Sequence, residues 1–327
     1  MKLSECPELS AKPHIEVEYV RCGLCDGDDA SPYAESFDYE YQTCSNKWQF
    51  VRCRQCHNVY LNPRPRRATL PVIYPSNYYA YNYGKEVNGI ARRAKALLDK
   101  RTFQNIRKLV TVPLRKYLDV GCGDGRYLRV VADSGIERQN IYGSELDSGL
   151  VASLRTEGFQ VDAVPFEETT GLPLAQFQLI TFFSVLEHVA SPRKALEQAF
   201  RLLEPGGVVV FEVPNIMSLN AKLFRHRYWG GYHAPRHWNL FSISSIREIA
   251  PTLGFSVRSI QRTTGHAFWL WSIHHWLRYR CRWDAVGKLF NPMKCLPGLA
   301  LVTPIDLVRA QFDMETDNLI AVLQKPS

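Results

Sequence analysis

The stretch from Tyr117 to Leu128, YLDVGCGDGRYL, decides the fold. An apolar run ends in the acid Asp119, and Gly121, Gly123 and Gly125 then open a turn into a helix-forming segment. A parallel strand delivers a ligand to the carboxyl edge of an open α/β sheet in this way. Glycine allows positive φ in such a turn and lets the backbone approach the ligand closely. No Lys-Ser/Thr pair follows the glycines, so a phosphate-cradling loop is excluded. A carboxylate beside the turn would repel a pyrophosphate and suits an amino group.

Three later segments follow in order: Ile141–Asp147 (IYGSELD), Phe177–Val189 (FQLITFFSVLEHV) and Leu202–Asn215 (LLEPGGVVVFEVPN). With them the chain resembles the class I S-adenosylmethionine (SAM) dependent methyltransferases. Their first motif is an acid, one residue and GxGxG, here Asp119, Val120, Gly121, Cys122, Gly123, Asp124 and Gly125. A lone glycine motif is shared with nicotinamide enzymes; the ordered set carries the resemblance. It implies an α/β fold, a Rossmann-like seven-stranded methyltransferase sheet, and SAM as cofactor. Asp119, Gly121 and Gly123 are then expected at the methionine part, Glu145 at the ribose and Leu146 on the adenine. Val164 and Phe166 are expected to add adenine contacts, and Ser184 to face the methionine end.

Working outward, strands are predicted over 115–120, 139–144, 159–164, 177–183, 207–213, 255–262 and 317–324. The clearest helix runs from Ser191-Pro192 to Leu203, with serine as N-cap, proline at the first helical position and Gly206-Gly207 after its end. Residues 1–62 form an expected zinc-ribbon-like module. Residues 63–111 are a Tyr/Pro-rich connector and a basic helix over Ile90–Leu109. Residues 112–327 form the methyltransferase domain, interrupted by an acceptor segment at 216–242 and a helical insertion at 265–316 before the last strand.

The module rests on cysteines. Cys22 and Cys25 lie in RCGLC, Cys53 and Cys56 in VRCRQC, and two CxxC knuckles around a β-rich stretch make a tetrahedral thiolate zinc site. A closed four-sulfur site has no open position for chemistry, so this zinc is structural. His57 reads as a neighbour of the site. No apolar run is long enough to span a bilayer, and MKLSECPELS has no signal-peptide core, so a cytoplasmic chain is expected. The net charge of +8 favours anionic partners without naming one.

Acceptor chemistry is expected after the fifth strand, in YWGGYHAPRHWNLFS. His233, His237 and Tyr232 stand there beside Arg236, Trp229 and Trp238. The segment resembles the acceptor region of methyltransferases that modify sugars. In the sugar C-methyltransferases with an N-terminal zinc module, a histidine followed by an aromatic and Phe-Ser matches His237, Trp238 and Phe241-Ser242. The acid that precedes that histidine is Arg236 here, which speaks against C-methylation. A hydroxyl acceptor must lose its proton as it attacks, and histidine has a suitable pKa. His237 is the first candidate base, then His233. His188 follows Glu187 in EHV and stands nearby. The tyrosines Tyr78, Tyr79 and Tyr81 are expected over the same pocket, with Tyr79 a further catalytic candidate.

The resulting expectation is O-methylation of a saccharide, a nucleotide- or lipid-linked sugar, or a related metabolite. The insertion segment GHAFWLWSIHHWLRYRCRW reads as a lid on the sheet or, through 265–300, as a peripheral contact with the inner membrane face. The competing reading is a zinc-ribbon RNA methyltransferase. It is disfavoured because SVLEHV replaces the Asn/Asp-Pro-Pro-aromatic of base-amine enzymes, and because the charge around the knuckles is acidic before it is basic. A SAM-binding scaffold without turnover is disfavoured by the intact histidine loop.

Overall fold

The computed structural model describes residues 7–75, 78, 89–293 and 295–327. The strands in chain order are β1 (Val17–Glu18), β2 (Ala30–Ser36), β3 (Trp48–Cys53), β4 (Val59–Leu61), β5 (Arg64–Pro65), β6 (Tyr117–Val120), β7 (Ile141–Ser144), β8 (Gln160–Asp162), β9 (Phe177–Phe183), β10 (Leu203–Pro214), β11 (Asn239–Leu240), β12 (Ser256–Thr263) and β13 (Asn318–Gln324). Seven of them form the main sheet in the order β12-β13-β10-β9-β6-β7-β8. The neighbours from β10 to β8 pair in parallel, and β13 runs antiparallel to both β10 and β12. The strand order reverses between β6 and β9, and that switch point is where an open α/β sheet binds its ligand. Strand β9 has both faces covered, which is why its sequence is apolar on both faces instead of alternating, apart from the hydrogen-bonded Gln178 and Thr181.

Local signals set the connections. The helix Pro192–Leu202 begins where Ser191 Oγ accepts the Lys194 amide at 3.3 Å, and it buries Ala195, Leu196, Ala199 and Leu202 against the sheet. Strand β10 starts earlier than expected, at Leu203. Its register with β9 shifts between Leu203 and Val208, so Gly206, at φ +80°, bulges the strand instead of preceding it. The helix Gly89–Arg107 also turns differently from its apolar pattern. Leu97 and Leu98 are exposed, whereas Phe103 and Ile106 are buried. Asp99 is buried as well, and its carboxylate lies 3.1 Å from Arg126 at the start of the helix Arg126–Asp133. That ion pair anchors the connector helix beside the glycine turn.

The N-terminal module does not close on itself within residues 1–62. Its antiparallel sheet has the order β11-β4-β3-β2, so the fourth strand comes from the acceptor segment. Leu61 N–H also donates to the Trp238 carbonyl at 2.9 Å. Cys22, Leu24, Cys53 and Cys56 belong to the same apolar core as Leu118, Phe182, Leu196 and Phe211 of the main domain. Module and methyltransferase sheet therefore share one core, and the module holds the segment expected to meet the acceptor.

Candidate functional site

The cofactor edge is built at the carboxyl ends of β6 and β7. Gly121, Gly123 and Gly125 have φ of +67°, +53° and +79°. A side chain at Gly121 would lie 2.4 Å from Val185, whereas one at Gly123 would meet nothing within 4 Å. The turn is thus packed on one side and open on the other, as a ligand cradle requires. Asp119 is buried beneath it and accepts the Thr181 hydroxyl at 2.6 Å, and that hydroxyl lies 2.6 Å from Tyr117 OH. Burial pushes the Asp119 carboxyl up to about 7, although the Thr181 hydroxyl and the Arg126 charge pull it down.

Glu145 is held in place by the backbone. Its Oε2 accepts Gly123 N–H at 2.9 Å, and its Oε1 accepts Leu146 and Asp147 N–H at 2.7 and 3.0 Å. A carboxylate offers about four acceptor positions, so capacity remains for a hydroxyl donor. Leu146 and Val164 are exposed along the same edge. Phe166 is turned inward and packs on Phe182 at 5.4 Å, so it supports the rim from behind. Ser184 is exposed at φ +56° just after β9. The residues fit SAM: an amino-group acceptor, a ribose acceptor, an open glycine turn and an apolar edge.

The acceptor loop converges on the end of β9. His237 is buried, and its Nδ1 donates to the Gly231 carbonyl at 2.8 Å, which leaves Nε2 with its lone pair. That Nε2 lies 4.0 Å from Glu187 Oε1. His188 Nδ1 donates to the Arg236 carbonyl at 3.0 Å, with the Tyr74 hydroxyl 3.1 Å from the same nitrogen. The His237 ring sits 4.7 Å from that of His188 and 4.9 Å from that of His233. One ligand atom each from Glu187, His188 and His237 lie within 4.8 Å of one another, close enough to share a proton or a divalent ion. Burial, then the neighbouring His188, holds His237 well below the ordinary histidine range. Burial likewise lowers His188 to about 3 and raises Glu187 to about 8. The cluster is therefore uncharged near neutrality, with the imidazole lone pairs free of protons.

Several of its members were not legible in the sequence. Glu40, in the loop between β2 and β3, accepts from His233 Nδ1 at 2.6 Å. Tyr41 and Tyr78 pack 5.9 and 6.0 Å from the His233 ring. Tyr78 thus joins the pocket, while Tyr79 and Tyr81 lie outside the described residues. Tyr232 does not join it: the ring stacks on Phe50 at 4.6 Å and its hydroxyl donates to the Arg225 carbonyl. Arg236 is fully buried, and its guanidinium donates to both oxygens of Asp38 at 3.0 and 3.1 Å. Burial alone would raise Asp38, but Arg236 holds its carboxyl below the usual range. Arg236 stands where the resemblance placed an acid because it ties the loop to the module and leaves the pocket to the histidines.

The four cysteines come together as spacing predicted. Cys22 and Cys56 sulfurs are 3.5 Å apart, as are those of Cys25 and Cys53, and all four lie within 4.8 Å of one another. Tetrahedral zinc with Zn–S bonds of about 2.3 Å places its sulfurs about 3.8 Å apart, so the donor set fits. Asp26 and His57, one after each second cysteine, close the knuckles at φ +63° and +58°. His57 is exposed and is not a ligand. The first knuckle docks on the main domain, where Gly23 O accepts Arg193 N–H at 3.1 Å.

The family described as "Methyltransferase domain" matches residues 88–260. The chain is 35% identical over 113 residues to the "Ubiquinone biosynthesis O-methyltransferase" of Azoarcus sp., covering 34% of this chain and 48% of that protein. It is 27% identical over 148 residues to a "Probable S-adenosylmethionine-dependent methyltransferase" of Mycolicibacterium smegmatis, covering 44% and 52%. The chain thus spans about half the length of the curated relatives it matches. Among solved structures, a SAM dependent methyltransferase from Archaeoglobus fulgidus aligns over 70% of this chain and 93% of that one, at 17% identity and a TM-score of 0.46.

Proposed function

The chain belongs to the methyltransferase-domain family, and from that premise we propose that it transfers the methyl group of SAM to a hydroxyl of a saccharide or a nucleotide- or lipid-linked sugar. The observation that carries this reading is the convergence of His188, His233 and His237 with Glu187 at the end of β9, next to the glycine turn. SAM supplies an electrophilic methyl on a sulfonium. The acceptor oxygen forms the new C–O bond as the C–S bond breaks, and the hydroxyl proton passes to a histidine. His237 Nε2 is the first site for that proton, because its Nδ1 is committed to Gly231. His233, oriented by Glu40, is the second. O-methylation accords with the name of the Azoarcus relative. The zinc ion is proposed as a structural clamp on the acceptor segment through β4 and β11. The docked knuckle counts against an RNA-reading role for the module.

The experiment is a screen of sugar nucleotides and lipid-linked glycans with methyl-labelled SAM, followed by loop variants. His237→Ala should retain SAM affinity and lose about 10²–10⁴ in turnover, the usual contribution of a general base. Near-normal turnover in His237→Ala with collapse in His233→Ala and Glu40→Gln would move the base to His233. Near-normal turnover in all three would overturn base catalysis by this loop.

A further inference from the structure

The expected membrane contact lay in the aromatic run after Gly265. The first part of that run is packed inward: Leu270, Ser272, His274 and His275 of the helix His266–His275 are buried, whereas Trp276, Arg280, Arg282 and Trp283 beyond it are exposed. Ser272 Oγ accepts Gly230 N–H at 2.8 Å, and a side chain at Gly230 would lie 2.5 Å from Trp271 Cβ. This helix covers the acceptor loop. An apolar surface does occur, one element later.

The helix Leu296–Gln311 is inverted. Its inward face carries its charges. Asp306 is buried and accepts from Trp269 Nε1 and Gly265 N–H, each at 3.4 Å. Arg309 is half-buried and donates to the Glu315 carbonyl at 3.1 Å. Its outward face presents Leu301, Ile305, Val308 and Phe312, spaced four, three and four residues apart on one stripe. Leu301 and Phe312 are each 74% exposed. Pro297, Ala300, Pro304 and Leu307 are also exposed beside the stripe, and Gln311 is the one polar residue there. A surface helix normally shows the opposite arrangement. An apolar face of this length without a charge marks an interaction site.

Charge indicates what covers it. Just upstream, Trp283, Val286 and Leu289 are exposed around Arg280, Arg282 and Lys288. Arg280 and Arg282 are exposed and have no carboxylate partner in the ion pairs of the described residues. They line a cleft of about 850 Å³ with His226, Tyr228 and Arg227, of which Arg227 is paired with Glu35 in the same cleft at 2.9 Å while Arg280 and Arg282 are not. An apolar stripe preceded in the chain by an exposed tryptophan and arginines is the chemistry of a segment that lies in a bilayer interface, with acyl chains under the stripe and anionic headgroups at the arginines. No described helix is long and apolar enough to cross a membrane, so the contact is with one face of the bilayer.

We propose that the helix Leu296–Gln311, with the segment carrying Arg280, Arg282 and Trp283, docks this protein on an anionic lipid surface. The inference does not depend on which acceptor is methylated. It would bring the protein to lipid-borne substrates while leaving the sheet in water.

The test is vesicle flotation of the full chain with phosphatidylcholine alone and with phosphatidylcholine containing phosphatidylglycerol. Binding is expected to the mixed vesicles and to weaken with salt. The double variant Leu301→Glu, Val308→Glu should lose binding at least tenfold while keeping SAM affinity and its melting temperature, since both side chains are exposed. Arg280→Ala and Arg282→Ala should each weaken binding about fivefold, the usual worth of a basic residue near an anionic membrane. Equal binding of wild type and the double variant would overturn the proposal. So would a wild type that ignores both vesicles, whether it stays monomeric or forms a dimer that the double variant splits; a split dimer would assign the face to a second copy of the chain.

Discussion

Asp119 is proposed to couple the fold to the cofactor through one proton. Its carboxyl is held at about 7 against an ordinary 3.8, chiefly by burial. The sign follows directly. A carboxyl whose folded pKa is raised binds its proton more tightly when folded, so it favours the folded state at low pH and penalises it as pH rises. Stability should fall between about pH 4 and about pH 7 and then level off. The move from 3.8 to about 7 corresponds to about 4 kcal/mol. Asp119→Asn removes this titration, so the variant should match the wild type at about pH 4 and exceed it by up to about 4 kcal/mol at about pH 8. In the proposed placement, bound SAM would reverse the balance by setting its ammonium over the carboxylate. Wild-type affinity for SAM should then rise about tenfold per pH unit up to about pH 7, and decline again as the ammonium of SAM itself titrates near pH 8. Binding at about pH 6 should release close to one proton. Denaturant unfolding across pH gives the first quantity. Titration calorimetry in buffers of different ionisation enthalpy gives the second. A wild-type affinity that is flat between about pH 5 and pH 7, or the same profile in Asp119→Asn, would refute the reasoning.

Purified protein should carry about one zinc per chain. Cys22→Ser should lower both metal content and turnover, because β11 of the acceptor segment pairs with β4 of the module; metal analysis and activity check it together, and metal-free wild type with full activity would sink the idea. Arg236→Met leaves Asp38 buried without its partner, so unfolding should come about 3–5 kcal/mol easier. Restoring much of that loss with Asp38→Leu added would confirm that the stranded charge is the cause.

The strands of the parallel part of the sheet, the glycine turn and the cysteine site were legible in the chain, because each rests on a local pattern. A strand buried on both faces is mostly apolar instead of alternating, as Phe177–Phe183 is apart from Gln178 and Thr181, whose polar groups are hydrogen-bonded. A tight turn at positive φ selects glycine, as at Gly121 and Gly123. A knuckle fixes two sulfurs within four residues. The structure placed β6, β7, β9, β12 and β13 within a few residues of the segments read from the chain.

What joins distant elements was decided by tertiary structure. The three histidines were visible as a loop, but Glu40 reaches His233 across 193 residues, and Asp38 reaches Arg236 across 198. No spacing rule encodes such pairs, since the sheet that brings them together joins three strands of the N-terminal module to one strand of the acceptor segment. The inward turn of Tyr232, the exposure of Leu97 and the outward apolar face of Leu296–Gln311 have the same origin. Periodicity names the apolar positions of a helix, but whether they face the core depends on what the remaining chain packs against it, and in Leu296–Gln311 the core side is the one that received Asp306.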